Sequence, residues 1–476
     1  MAIWHTVDIL QALNLKGDVS SPFQATGISI DTRTLKPGDL FIALKGENFD
    51  GHDFLEQAFE KGASGVIISQ EPPNFLVNHT YFKVSDPLKA LQQLGQYARS
   101  RSSAKVIAVT GSAGKTTTKE WLAQVLGSFG STVFSKASYN NHLGVPLSLA
   151  QLEPDTQFGV FEVGMNHGGE IEPLSQLIQP DIAIITTISE AHLGYFDSIE
   201  AIAEEKSNIF KGLKPGGTTI LNHDNPFYEF FAHKAQHHGA KRILSVGQKK
   251  GSYIQLIEAC YDDSCHQTLV KFKMGEDILT YSLDLVGEYY VINSLMVLAA
   301  TKALGLDLDH SIEAVQTLKP IAGRGQRYTL CLTPGKTITL IDDAYNAHPT
   351  SMKSGLSSLA QIQSSGRKIV VLGEMRELGD KADCYHKELI PLLNEAGVDL
   401  IFATGPCLKP VFDAFLPQQQ GAFQENALDL WQPLLESLRD GDTVFIKGSN
   451  GTKVYTLVHK LLSLHQDVLS SHLDVA

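Results

Sequence analysis

The run Gly111-Ser-Ala-Gly-Lys-Thr116 carries the clearest chemistry in this chain. It follows the apolar stretch Lys105–Thr110 and precedes a stretch of helical spacing, the strand–turn–helix setting that a phosphate loop needs. Gly111 and Gly114 let the backbone turn tightly and aim N–H groups inward, and the start of the helix adds partial positive charge. Lys115 reaches toward β- and γ-phosphates, and the Thr116 hydroxyl is suited to Mg²⁺. Ser112, Ala113 and Thr117 complete the expected ATP contacts. The loop reads G-x-x-G-K-T, with Val109 where the longer form of the motif has its first glycine.

Three further side chains stand where such a loop would use them. Glu162 ends the apolar run Phe158–Val163, and a carboxylate at the C-terminal end of a parallel strand faces the ligand crevice. His192 follows the next apolar run, Asp181–Ile188. Lys206 lies in the helical stretch Ala203–Phe210. Singly, each has a plain explanation: a solvated strand end, a loop histidine, a surface lysine beside Glu204 or Glu205. Together, after successive strands beside a phosphate loop, they suggest a metal and phosphate site.

The elements that must hold these residues alternate strand and helix, the mark of an α/β fold. The chain has 476 residues, enough for about three domains. Short strands and helices fill 1–103, and polar Arg99–Ala104 reads as a linker. A second unit, 104–320, holds the phosphate loop on a parallel or mixed sheet and includes a polar, strand-rich stretch from Arg242 to Leu285. Gly323-Arg-Gly-Gln-Arg327 reads as a junction. Beyond it, 321–476 holds a second α/β series, at Thr337–Ile341, Lys368–Leu372, Leu400–Thr404 and Thr443–Lys447, of Rossmann-like type. A hydrophobic fraction of 43% and a charged fraction of 19% are those of a soluble globular protein. The net charge of −13 argues against a nucleic-acid partner, which wants a basic stripe. Five scattered cysteines without a C-x-x-C pair suit reduced thiols. With neither a signal-peptide pattern nor an apolar run of spanning length, a cytoplasmic location is expected.

At this point a resemblance is plain. Thr110-Gly-Ser-Ala-Gly-Lys-Thr-Thr117, Tyr139-Asn-Asn-His-Leu-Gly-Val-Pro146, Glu162-Val-Gly-Met-Asn-His167, His192, Lys206 and Asp342-Asp-Ala-Tyr-Asn-Ala-His-Pro349 resemble the Mur ligases of peptidoglycan synthesis, in order and over nearly the whole chain. Asp31–Gly46, Phe49–Phe54, Asp343–Ala347 and Val371–Gly379 are most similar to the members that join D-alanyl-D-alanine to UDP-N-acetylmuramoyl-tripeptide. The resemblance implies an ATP- and Mg²⁺-dependent ligase acting through an acyl phosphate. It implies that Lys206 is carbamylated by CO₂ and, with Thr116, Glu162 and His192, holds the metal. By the same resemblance Asn140 and Asn141 line the catalytic cleft, and Asn293, Arg324 and Asp343 contact the nucleotide. Ser29, Thr32, Arg33, Lys45 and Gly46 would take the uridine-diphosphate end. Asn346 would contact substrate from the third domain, and the enzyme would act as a monomer.

Two stretches depart from the family pattern. Where it carries G-x-H-N-x-x-N, this chain has Gly287-Glu-Tyr-Tyr-Val-Ile-Asn293, so Tyr289 and Tyr290 either stack on a base or pack in the core. Asn450 stands where the family commonly has arginine. Rival readings are the ligase adding the third peptide residue, a folate polyglutamate ligase and an inactive scaffold. The first would often carry D-N-P-R after the junction, and no such tetrapeptide follows Gly323. The second fits the N-terminal stretch poorly, and joint retention of Lys115, Thr116, Glu162, His192 and Lys206 argues against the third. Lys115→Ala is expected to lower turnover by roughly 10²–10³, the loss typical of one transition-state charge contact, measured as ADP release.

Overall fold

The strand Lys105–Thr110 sends Val106 and Ala108 into one hydrophobic cluster and Ile107 and Val109 into another, all fully buried. Side chains alternate across a strand, so a run apolar on both faces must lie inside a sheet covered on both sides. In the computed structural model, which describes residues 3–16, 23–190, 193–333 and 335–473, that strand lies in a nine-stranded sheet. Its order is Asp277–Leu283, Gln267–Met274, Ile254–Asp262, Arg242–Gly247, Thr218–Asn222, Ile182–Ile185, Lys105–Thr110, Phe158–Glu162, Thr132–Phe134. The first three strands are mutually antiparallel and the rest parallel, so the sheet is mixed. Strand order reverses at Lys105–Thr110, and such a switch point opens a crevice beyond the strand ends.

Two smaller parallel arrays flank it. Gly27–Ser29, Asp39–Ile42, Gly65–Ile68 and Tyr81–Lys83 form a four-stranded parallel sheet. Gln326–Thr333, Lys336–Asp343, Thr443–Lys447, Lys368–Gly373, Leu400–Thr404 and Gln420–Gln424 form a six-stranded one, antiparallel only in its first pair. The α/β class expected from the alternation of elements is therefore the one observed.

Arg99–Ala104 corrects one expectation. It is no linker: the helix Pro87–Arg101, started by Asp86 accepting from the amides of Leu88 and Lys89, takes up its first half. Arg99 is buried and donates to the carbonyls of Ile178 (2.8 Å) and Gln179 (2.9 Å). Those carbonyls end the helix Ile171–Ile178, where partial negative charge favours a cation. The helix of the first unit is thus bolted to the second.

The helix Lys115–Gly127 packs Trp121, Leu122, Val125 and Leu126 with Leu295–Ala300 of the helix Glu288–Ala303 on one face of the central sheet. Trp121 is 1% exposed, and its indole N–H donates to the Lys319 carbonyl at 3.0 Å. Trp121→Ala should lower unfolding stability by about 3–5 kcal/mol, read by urea denaturation, because a large aromatic leaves a cavity that the sheet cannot close.

Candidate active site

The phosphate loop owes its shape to two glycines. Gly111 has φ 150° and Gly114 φ 81°, values that side chains resist. A Cβ on Gly111 would lie 2.0 Å from the Thr186 hydroxyl, and one on Gly114 would meet Asn293 at 3.0 Å. Thr186, from the end of the adjacent strand, donates to the Ala113 carbonyl at 2.5 Å, and Ser112 exchanges hydrogen bonds with the Ser189 backbone. The loop is held from behind before any phosphate arrives.

Its first helical residues meet the neighbouring strand end. The Thr116 hydroxyl donates to Glu162 Oε2 at 2.8 Å and accepts from Arg324 Nη2 at 3.0 Å. Asn140 Nδ2 donates to Glu162 Oε1 at 2.7 Å. Glu162 is 1% exposed, so both oxygens of a buried carboxylate are engaged. Lys115 donates to the Gly111 carbonyl at 2.8 Å. Burial depresses its pKa and the nearby Glu162 opposes that shift. Lys206, 1% exposed, lies far below the ordinary lysine range, first through burial and then through repulsion by Lys115.

These residues open on one cavity of about 830 Å³. Ser112, Ala113, Gly114, Lys115, Thr116, Thr117, Asn140, Asn141, Glu162, Asn293, Arg324, Asp343 and Asn346 line it. Asn141 also caps the helix Gly144–Leu149, its Oδ1 accepting from the amides of Leu143 and Gly144. Gly111 and Lys206 stand behind the wall. His192 lies outside the described residues. Ser29, Thr32, Arg33, Lys45 and Gly46 are not brought to this cavity: Thr32 bonds Gln57, Arg33 is exposed and paired with Asp31, and Lys45 and Gly46 are on an exposed loop. Among described residues of the first hundred, only Glu47 reaches the wall.

Sequence reasoning missed Glu47, Thr186, Lys447 and Tyr345 as wall residues. In the sequence Lys447 stands out only as the end of the strand-like run Thr443–Lys447. It is 2% exposed and pairs with Asp343 at 2.7 Å while donating to the Asn346 carbonyl. Burial raises the Asp343 pKa, and Lys447 pulls it back. Arg324 lies 4.3 Å over the Tyr345 ring, and the Tyr345 hydroxyl meets Ser138 of the central unit. The two tyrosines of the departing stretch divide their roles: Tyr290 is buried beside Trp121 with its hydroxyl on the Arg324 carbonyl, whereas Tyr289 lines the cavity.

Three family models match the chain in order: the Mur ligase family, catalytic domain, over 24–113; the Mur ligase middle domain over 109–301; and the Mur ligase, glutamate ligase domain, over 324–450. The chain is 34% identical over 455 residues to the UDP-N-acetylmuramoyl-tripeptide–D-alanyl-D-alanine ligase of Bacillus subtilis, covering 94% of this chain and 96% of that protein. It is 32% identical to the ligase of the same name from Rickettsia prowazekii, over 96% of this chain and 99% of that one. The fold matches a crystal structure of MurF from Acinetobacter baumannii with a TM-score of 0.82 at 29% identity, over 97% of this chain and 99% of that one. It matches MurF ligase from Thermotoga maritima in complex with ADP with a TM-score of 0.76 at 25% identity, over 94% and 98%.

Lys447→Met would leave Asp343 buried without its counter-ion. A loss of about 3–5 kcal/mol in unfolding stability is expected, checked by chemical denaturation at neutral pH.

Proposed function

The chain belongs to the Mur ligase family, and from that premise we propose that its cleft joins D-alanyl-D-alanine to UDP-N-acetylmuramoyl-tripeptide with hydrolysis of ATP to ADP and phosphate. One observation carries this reading: a single cavity is lined by the phosphate loop, by the buried carboxylate Glu162, and by Arg324, Asp343 and Asn346 from beyond the junction. A carboxylate is a poor electrophile. In the first step a carboxylate oxygen of the tripeptide attacks the γ-phosphorus, and the bond to ADP breaks. In the second the amine of D-alanyl-D-alanine attacks the acyl carbon, the C–O bond breaks and phosphate leaves. Lys115 offsets the charge of two anions brought together, and Arg324 adds a second cation from the other side of the cleft.

A divalent metal fits the donor set. The Thr116 hydroxyl and the Glu162 carboxylate are buried oxygen ligands of the kind Mg²⁺ prefers. When bound, Mg²⁺ would neutralise phosphate charge and polarise the phosphoryl group. We assign Lys206 to the same set as a carbamate, with His192 as a further member. Ammonium at that position would repel a cation. Burial favours the neutral form of Lys206, and a neutral lysine can instead add to CO₂, forming an N–C bond and releasing a proton, and so becomes an anionic ligand.

We assign the uridine-diphosphate end to residues 1–103 through Ser29, Thr32, Arg33, Lys45 and Gly46. The exposed Lys45–Phe49 loop, with Glu47 in the cavity wall, supports a path from there to the phosphate loop. Asn293 is assigned to the adenine, Asn141 to the cleft beside Asn140, and Asn346 to the amine-donor side. Residues 104–320 and 321–476 then act as nucleotide and amine-donor units of a monomer. Among the described residues no helix is long and apolar enough to cross a membrane, which supports a cytoplasmic enzyme acting on soluble precursors.

The direct test is ADP release with UDP-N-acetylmuramoyl-tripeptide, with and without D-alanyl-D-alanine; sustained release only with both supports the reading, and indifference to the dipeptide sinks it. Lys206→Ala is expected to lose about 10²–10³ in kcat, as for removal of one charge-stabilising group. A short-chain carboxylic acid added to the assay should restore part of that loss. Full activity of the variant in CO₂-depleted buffer would remove the carbamate.

A further inference from the structure

The helix that starts at the phosphate loop carries a second lysine that this chemistry leaves unused. Lys119 is 0% exposed. A lysine ordinarily extends its ammonium to solvent, and a buried one is tolerated only when its N–H groups are matched. Here they are. Nζ donates to the carbonyls of Ser135 at 2.6 Å and Ala137 at 2.9 Å and to Glu120 Oε1 at 2.6 Å, three acceptors for three donors.

Both carbonyls belong to the segment after the strand Thr132–Phe134. Ala137 lies there at φ 45°, a left-handed conformation that alanine avoids unless its surroundings hold it. The same segment reaches the reacting groups. Ser135 Oγ accepts from the Glu162 amide at 3.4 Å, and the Asn140 carbonyl accepts from Gly164 N at 2.9 Å. Asn140 Nδ2 is the donor to Glu162 Oε1. Lys119 itself stands behind the cavity wall, one helical turn beyond Lys115 and Thr116.

We propose that Lys119 is a positioning residue: its buried ammonium fixes residues 135–141 so that Asn140 holds Glu162 in the orientation needed for phosphoryl transfer. The proposal rests on the ligase reading above. One helix then serves twice, its first turn holding the phosphate and its second turn holding the loop that aims the carboxylate.

The test uses the full chain with Lys119→Met, close in size and without charge. Its kcat should fall about 10²-fold, the scale of a slight misplacement of reacting groups. Its Kd for ADP should stay at the wild-type value, and the Mg²⁺ concentration for half-maximal rate should rise. Asn140→Ala supplies the cycle. If both substitutions break one link, the double variant is no slower than Asn140→Ala alone, whereas independent structural damage multiplies the two losses. Multiplied losses, or a wild-type kcat in Lys119→Met, would overturn the proposal. Should Lys119→Met not fold, Ala137→Pro, at an exposed residue, forbids the left-handed backbone and turns that carbonyl away while leaving the buried lysine in place. It should reproduce the kcat loss, and unaltered kcat there would equally overturn it. Amide hydrogen exchange over 135–141 separates this from the ligase reading. Faster exchange in Lys119→Met is expected even if the wild-type chain forms no ligation product, and unchanged exchange removes the clamp.

Discussion

The hydrogen bond from the Thr116 hydroxyl to Glu162 fixes the geometry on which the rest of the site depends. It ties the first turn of the phosphate-loop helix to the end of the neighbouring parallel strand. The same hydroxyl accepts from Arg324, so one side-chain oxygen joins the loop, the central sheet and the junction to the C-terminal unit. Thr116 and Glu162 are both buried, and a bond in that setting is expensive to break because neither group finds water in exchange.

Around that bond the charge is unbalanced. Lys115, Lys206 and Arg324 gather near the engaged carboxylate of Glu162, and the pKa values of both lysines are depressed, first by burial and then by repulsion from a neighbouring cation. Left alone, such a cluster is costly. It becomes favourable when phosphate oxygens enter, which is why a site for triphosphate is poorly neutralised without it. The left-handed glycines, the Thr186 brace and the Ser112–Ser189 exchange hold the loop open for that charge, so little reorganisation is needed when it arrives.

Among the described residues the C-terminal unit meets the central one mainly through polar contacts, Arg324 on Thr116, Tyr345 with Ser138, Gly194 N on the Glu377 carbonyl at 2.8 Å, Thr350 on Glu190, and Arg327 on Tyr261, beside Val286, which packs in the C-terminal hydrophobic cluster. Polar interfaces of this kind permit rigid-body adjustment between units. The N-terminal unit is joined differently. Arg99 caps a helix of the central unit, and Trp4, Leu91 and Leu94 share a hydrophobic cluster with Val106 and Ala108. A shared apolar core resists sliding, so motion in this molecule should concentrate at the C-terminal junction.

The sequence alone determined what depends on local pattern. Lys105–Thr110 and Lys368–Leu372 read as strands because a doubly covered strand is apolar at every position. Gly111, Gly114 and Lys115 read as a phosphate loop because the turn, the cation and the following helix are consecutive, and the ordered motifs pointed to the family. What depends on distant partners was not legible. Arg99 looked like linker because the carbonyls of Ile178 and Gln179 lie far along the chain. Tyr289 and Tyr290 are neighbours in sequence, yet one faces the cavity and the other the core, since helical rotation separates adjacent side chains by about 100°. Lys119 carries no signal in the sequence, and only the fold brings the carbonyls of Ser135 and Ala137 to its ammonium. A motif reveals which groups are present; the tertiary structure decides which are desolvated and by whom they are met, because burial and pairing are properties of contacts between segments that the chain order keeps apart.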